Sequence, residues 1–234
     1  MDGIRLNKYI ANCGICSRRE ADKLIAAGRV LIGGKLPELG SKVSDGDEVT
    51  IDGKAITLET KKRVIALYKP EGYVCTEAEF KGEKNIQELI AGESRLFSIG
   101  RLDKNSEGLI LMTNDGAFAQ EVSRSAGEHE KEYEVTIDEE VTAEFLSKMR
   151  AGVEIDIDGK LYTTKPCKVI KKGPKGFNII LTQGFNRQIR RMTRACGCHV
   201  RTLKRVRVMN VTIGDLKPGE WKDVSDCFFS DNAL

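Results

Sequence analysis

The 234 residues suffice for one large domain or for a small domain beside a medium one. A hydrophobic share of 40% is ordinary for a globular chain, and no apolar run approaches the ~20 residues that a membrane-spanning helix needs, so neither a membrane role nor a secretory leader is expected. Net charge is only +3, and seven cysteines without framework spacing point to reduced thiols in a cytoplasm.

Residues 4–12 (IRLNKYIAN) place Leu6 and Ile10 on one helical face, and Gly14 closes the segment. Ser17 with Glu20 forms a capping box before a second helix, and Gly28 suits that helix's end. A strand in RVLI, a turn and a strand in DEVTIDG complete a small α/β unit, residues 1–58. Six basic residues (Arg5, Lys8, Arg18, Arg19, Lys23 and Arg29) fall mainly on and between its helices, against Glu20 and Asp22. Such a cluster is the footprint of a polyanion partner or, more blandly, a solvated helix face.

Residues 59–63 (ETKKR) read as a polar linker, and residues 64–234 as a second domain. VIALYKPEGYVCT is an apolar strand running into a Lys-Pro-x-Gly turn, and NIQELI is a short helix. RLFSIGRLD and EGLILMTND are strands around a loop, and DGAFAQEVSRS is a helix with Asn114 or Asp115 at its start. KEYEVTID alternates as a strand does, and TAEFLSKMRAG is a helix ended by Gly152. GFNIILTQG is a strand, NRQIRRMTRACG a basic amphipathic helix, and VRTLKRVRVMNVTIG mostly strand. This order predicts a mixed α+β domain with a largely antiparallel sheet. Residues 187–207 hold eight basic side chains and no acidic one, which predicts a second polyanion-contacting patch.

Asp103, in SIGRLDKNSEG, admits three roles from its neighbours alone. Asp103, Asn105, Glu107 and Gly108 imitate the start of a calcium loop, but Asn114 stands where the bidentate Glu belongs and both flanks read as strands. The carboxylate can instead cap a turn, or react if held beside a cation. Cys13 and Cys16 have C-x-x-C spacing, yet Cys196 and Cys198 do not supply a zinc partner, so buried small hydrophobes are expected and no metal. His129 and His199 form no triad pattern. No G-x-G-x-x-G or Walker loop is present, so no cofactor is expected.

Distant segments decide between these roles. Residues 5–11, 17–21, 28–30 and 40–49 resemble an S4 RNA-binding domain. Lys69-Pro70-Glu71-Gly72, the G-R-L-D run through Leu109, Lys131-Glu132-Tyr133 and the N-R-Q-I-R-R-M of residues 186–192 resemble, in order, the motifs of the RsuA/RluB/RluE/RluF family of pseudouridine synthases. The last segment, with RVRVMNV, resembles most the RluF branch, which acts on 23S ribosomal RNA. The resemblance implies an isomerase with Asp103 as catalytic carboxylate, Tyr133 stacked on the flipped uracil, and Arg190 paired with Asp103. RNA contacts are implied for Arg101, Lys131, Arg187, Gln188 and Arg191, and for the six cations of the S4 domain. Asp103 would attack C1′ or C6, or assist a glycal route. The partner implied is ribosomal RNA, free or in an assembly intermediate, with a transfer RNA as an open second substrate and a monomer as the default state. The competing class is a ribosome-associated S4 protein without catalysis.

Overall fold

A computed structural model describes residues 3–38, 40–76, 82–93, 95–123 and 129–229. The chain divides into two units: Met1–Arg63 with Gly92–Phe97 and Asn114–Gly116, and the remainder.

In the first unit, β1 (Ile4–Arg5) leads into α1 (Leu6–Asn12) and α2 (Arg18–Ala26). The strands β2 (Val30–Ile32), β3 (Lys42–Val43), β4 (Val49–Ile51) and β5 (Lys54–Ile56) follow. The Ser17 hydroxyl accepts the Glu20 N–H at 3.2 Å, and Gly28 (φ 69°) ends α2 in the left-handed region where only Gly is unstrained. Leu6, Ile10, Ala21 and Ile25 meet Val30, Val43 and Val49 in one core, which also holds Cys16. Burial pushes the Cys13 thiol up to about 11 and raises that of Cys16 as well, which disfavours the thiolate at both. β5 was not expected.

The linker residues are held by side chains. Asn114 Oδ1 accepts the Arg63 N–H at 2.8 Å and its Nδ2 donates to the Lys61 carbonyl at 2.9 Å. Lys62 pairs with Asp115 at 2.8 Å, and Arg63 with Glu93 at 2.6 Å. Asn114 and Asp115, expected at a helix start, thus tie down residues 61–63.

The second unit carries most of β6 to β18 and α3 to α6. In chain order these are β6 (Val64–Lys69), β7 (Tyr73–Val74), β8 (Lys84–Asn85), a 3₁₀ turn (Ile86–Ile90), β9 (Phe97–Ile99) and β10 (Glu107–Thr113). Then come α3 (Gly116–Ser123), β11 (Lys131–Ile137), α4 (Ala143–Ala151), β12 (Glu154–Ile157), β13 (Lys160–Thr163), β14 (Lys168–Lys171) and β15 (Gly176–Leu181). Last are α5 (Gln188–Ala195), β16 (Val200–Val208), β17 (Val211–Thr212), β18 (Trp221–Asp223) and α6 (Asp226–Phe229). The predicted end of the third helix, beyond Ser123, lies outside the described residues.

A nine-stranded sheet runs β14-β15-β11-β16-β10-β6-β18, with β9 on β10 and β17 on β16. β10 and β16 are parallel, while β11 is antiparallel to both of its neighbours. At the parallel seam Gly108 faces Arg205, and a Cβ on Gly108 would lie 2.2 Å from the Arg205 carbonyl oxygen. Only glycine permits that approach. Strand alternation sends Val135 and Ile137 of β11 into a core with Phe145 and Met149 of α4 and Ile189 and Met192 of α5. Lys131 and Tyr133 continue the same face. The hairpin β12–β13, not expected, turns at Asp158-Gly159, where both residues have positive φ.

Candidate active site

The loop between β9 and β10 carries Asp103. Its turn is closed by the backbone, with the Asp103 carbonyl accepting the Ser106 N–H at 3.0 Å. The side chain is therefore not needed as a turn cap. Instead the carboxylate, 28% exposed, faces Arg187, whose Nη1 lies 3.8 Å from Oδ2. Asp103, Tyr133, Lys131, Arg101 and Arg187 line one cleft of about 240 Å³, whose walls include Leu181, Ile189 and Leu203. Of the calcium-loop positions, the Glu107 carboxylate is already taken by the Tyr68 hydroxyl at 3.0 Å, and Arg190 donates to the Asn105 backbone carbonyl beside them.

Arg190 feels the charge of Asp103, but no direct ion pair joins them in this structure. Arg190 Nη2 donates to the Asn105 carbonyl and lies 3.4 Å from the Ser106 hydroxyl, in the loop that follows Asp103. The reason is local backbone geometry. Arg187 sits at the N-terminal boundary of α5 in the left-handed region (φ 53°, ψ 32°). A non-glycine residue there is strained, and such strain collects where a side chain must be aimed. Arg187, one helix position earlier than α5 itself, takes the carboxylate.

Two further cations hold the loop. Lys69, with no exposed surface, donates Nζ to the Ser106 carbonyl at 2.7 Å and to the Pro70 carbonyl at 2.9 Å. Burial pushes its pKa down, partly opposed by Cys75, Glu71 and Asp103. Arg205, 3% exposed, donates Nε to the Leu109 carbonyl at 2.6 Å and Nη1 to the Arg101 carbonyl at 3.5 Å. The Gly72 N–H reaches the Lys104 carbonyl at 2.8 Å, and the Leu102 N–H reaches Cys75 Sγ at 3.5 Å. Residues 101–109 are thus fixed mainly through their carbonyls by buried cations, each such charged hydrogen bond contributing about 1.5–3 kcal/mol. Sequence reasoning gave Lys69 and Arg205 no role. The available signal was a lysine closing a fully buried strand, β6.

Tyr133 reaches the cleft by the plain alternation of β11, and the register shift opposite it leaves an extra residue, Val206, on β16. Lys131 lies beside it, its pKa lowered by burial and then by Arg205. Gln188 and Arg191 both have partners within the protein, and Arg191 keeps part of its surface in solvent. Gln188 is buried and its Oε1 accepts the Phe185 N–H at 3.0 Å. Arg191 donates to the Asn186 carbonyl at 3.0 Å and to the Asp156 carbonyl. In the first unit Arg5, Lys8, Arg18, Arg19 and Lys23 are exposed, whereas Arg29 forks onto Asp52, with Nε 2.9 Å from Oδ1.

The second unit thus holds a carboxylate in a cleft lined by a tyrosine and basic side chains, and the first unit presents exposed cations on its helices. The chain belongs to the RNA pseudouridine synthases, in their RsuA group: the RNA pseudouridylate synthase family model matches residues 63–195 and the S4 domain model residues 4–49. It is therefore an isomerase. It is 46% identical to the dual-specificity RNA pseudouridine synthase RluF of Escherichia coli K12, over 95% of this chain and 76% of that relative. It is 36% identical to an RNA pseudouridine synthase of Aquifex aeolicus, over 95% of this chain and 93% of the relative. A crystal structure of a pseudouridylate synthase superposes with a TM-score of 0.69 at 28% identity, covering 94% of this chain and 96% of that one. No helix among the described residues is long and apolar enough to cross a membrane.

Proposed function

We propose that this protein isomerises one uridine of ribosomal RNA, in the 23S molecule, with Asp103 as the reacting carboxylate. The observation that carries this reading is the Asp103 carboxylate in a cleft shared with Tyr133, paired with Arg187 at 3.8 Å. The reaction breaks N1–C1′, turns the base and joins C5 to C1′; C5 releases a proton and N1 takes one up. It needs no net oxidation and no phosphoryl donor. The target base must leave its stack, at a few kcal/mol, and an aromatic face such as Tyr133 recovers about 1–3 kcal/mol by stacking. Arg187 holds the carboxylate, while Lys69, Arg190 and Arg205 fix the loop behind it, so Asp103 is pre-aimed before substrate arrives. The exposed cations of α1 and α2 grip phosphates and give affinity without reading sequence. The setting proposed is a cytoplasmic monomer acting on ribosomal RNA, free or partly assembled.

The test is tritium release from 5-tritiated uridine in ribosomal RNA, comparing this protein with Asp103→Asn. Release by the intact protein and none by the variant supports the reading; no release on any ribosomal RNA ends it. The E. coli relative is named as dual-specificity, so the same assay is run with transfer RNA as a second candidate substrate.

A further inference from the structure

Among the described residues, Tyr162 and Phe185 are the aromatic side chains counted as exposed, at 39% and 37%. They touch each other, with ring centroids 5.4 Å apart and planes tilted by 40°. Phe185 also lines the Asp103 cleft. It stands two residues before Arg187, a backbone reach of at most about 7 Å.

Both rings are rigidly mounted. The Phe185 N–H donates to Gln188 Oε1 at 3.0 Å, and the Phe185 carbonyl accepts the Gln188 N–H at 3.1 Å. Tyr162 sits across β12–β13 from Ile155, which is buried at 2%. The hairpin turn is locked by the Gly159 N–H on Asp156 Oδ1 at 2.9 Å. The Arg191 guanidinium joins the two mounts, donating to Asp156 of the hairpin and to Asn186 beside Phe185. Simple packing would bury such rings; here a built support keeps them at the mouth of a cleft.

We propose that Phe185, buttressed by Tyr162, is a stacking shelf for the nucleobase adjoining the target uridine in the substrate RNA. The proposal rests on the reading that this cleft takes RNA. Charge favours that occupant. Arg101 is exposed on the cleft wall and suits the intervening phosphate. The hairpin's exposed Glu154, Asp156 and Asp158 outnumber its exposed Lys160, so its net negative charge disfavours a phosphate there and leaves the ring face for a base. Aromatic stacking is tolerant of base identity, so the shelf contributes affinity and register more than sequence choice. Gln188 and Arg191 become positioning residues for it.

The probe is a ribosomal RNA hairpin with an unpaired uridine flanked on its 5′ or its 3′ side by 2-aminopurine, whose fluorescence is quenched on stacking. Its binding to the full chain is compared with Phe185→Ala and Phe185→Trp, each first checked for an unchanged melting temperature. The expected result is quenching by the intact protein at one flanking position. With Phe185→Ala the quenching is lost and binding is about tenfold weaker; Phe185→Trp restores both. Equal quenching and equal affinity for Phe185→Ala would overturn the shelf, as would an equal loss on an RNA abasic at both flanks. Tritium release on the same RNA separates the two readings. Release with an indifferent Phe185 removes the shelf alone, while Phe185-dependent quenching without release by the intact protein removes the reaction alone.

Discussion

The two units use their cations in opposite ways. On α1 and α2, Arg5, Lys8, Arg18, Arg19 and Lys23 stand in solvent without ion-pair partners among the described residues. Around the cleft, Lys69 and Arg205 are buried and Arg190 is half-buried, each donating to backbone carbonyls of the Asp103 loop. Exposed cations meet a polyanion; buried ones replace water at carbonyls and set a loop's shape. Charge in the sequence therefore does not report charge available to a partner. Of the eight basic residues between 187 and 207, Arg187, Arg190, Arg191, Arg205 and Arg207 are engaged within the protein.

The sharpest break in this comparison comes at the carboxylate that the buried cations surround. Asp103→Asn should lower the rate of pseudouridine formation by about a thousandfold or more, with RNA affinity unchanged in a filter-binding assay. Next, Arg205→Met leaves two carbonyls without their donor, and unfolding in urea should register a loss of about 2–4 kcal/mol. Removing the exposed trio, as Arg18→Ala/Arg19→Ala/Lys23→Ala, should leave the urea midpoint in place. It should reduce the slope of log affinity against log salt by about two, at ~0.7 per phosphate contact.

Smaller effects sharpen the same contrast. Burial lowers the Lys69 pKa below the unfolded value of 10.5. Between the folded and unfolded values the unfolded chain binds the extra proton, so this group's contribution to stability rises with pH across that window. Lys69→Met should erase that rise in urea titrations between neutral pH and 10.5. Smallest of all, Arg29→Ala should change the salt slope by less than one unit, since Asp52 already neutralises that guanidinium.

Much of this was legible in the sequence because it is written locally. Ser17 before Arg-Arg-Glu and Gly28 after Ala-Ala mark the ends of α2 through their own backbone chemistry, and period-2 alternation marks β11. The resemblance pointed at Asp103, and the cleft puts it beside Tyr133. The roles of Arg187, Gln188, Arg190 and Arg191 come from the resemblance alone, because the left-handed backbone at Arg187 and the backbone partners of the other three are not encoded in residue identity. The hairpin at 154–163 was passed over although Asp158-Gly159 between alternating apolar residues is a turn signal.

The parallel seam at Gly108 has a consequence in time. Arg205 and the Leu109 carbonyl it holds are 96 positions apart. Closing so long a segment is entropically slow. At about 5–20 residues per second, a ribosome needs roughly 5–20 s after making Leu109 to deliver Arg205. Throughout that interval the Asp103 loop has Lys69 but lacks Arg205, and for most of it Arg190 as well. The cleft around Asp103 is therefore among the last parts of the molecule to mature.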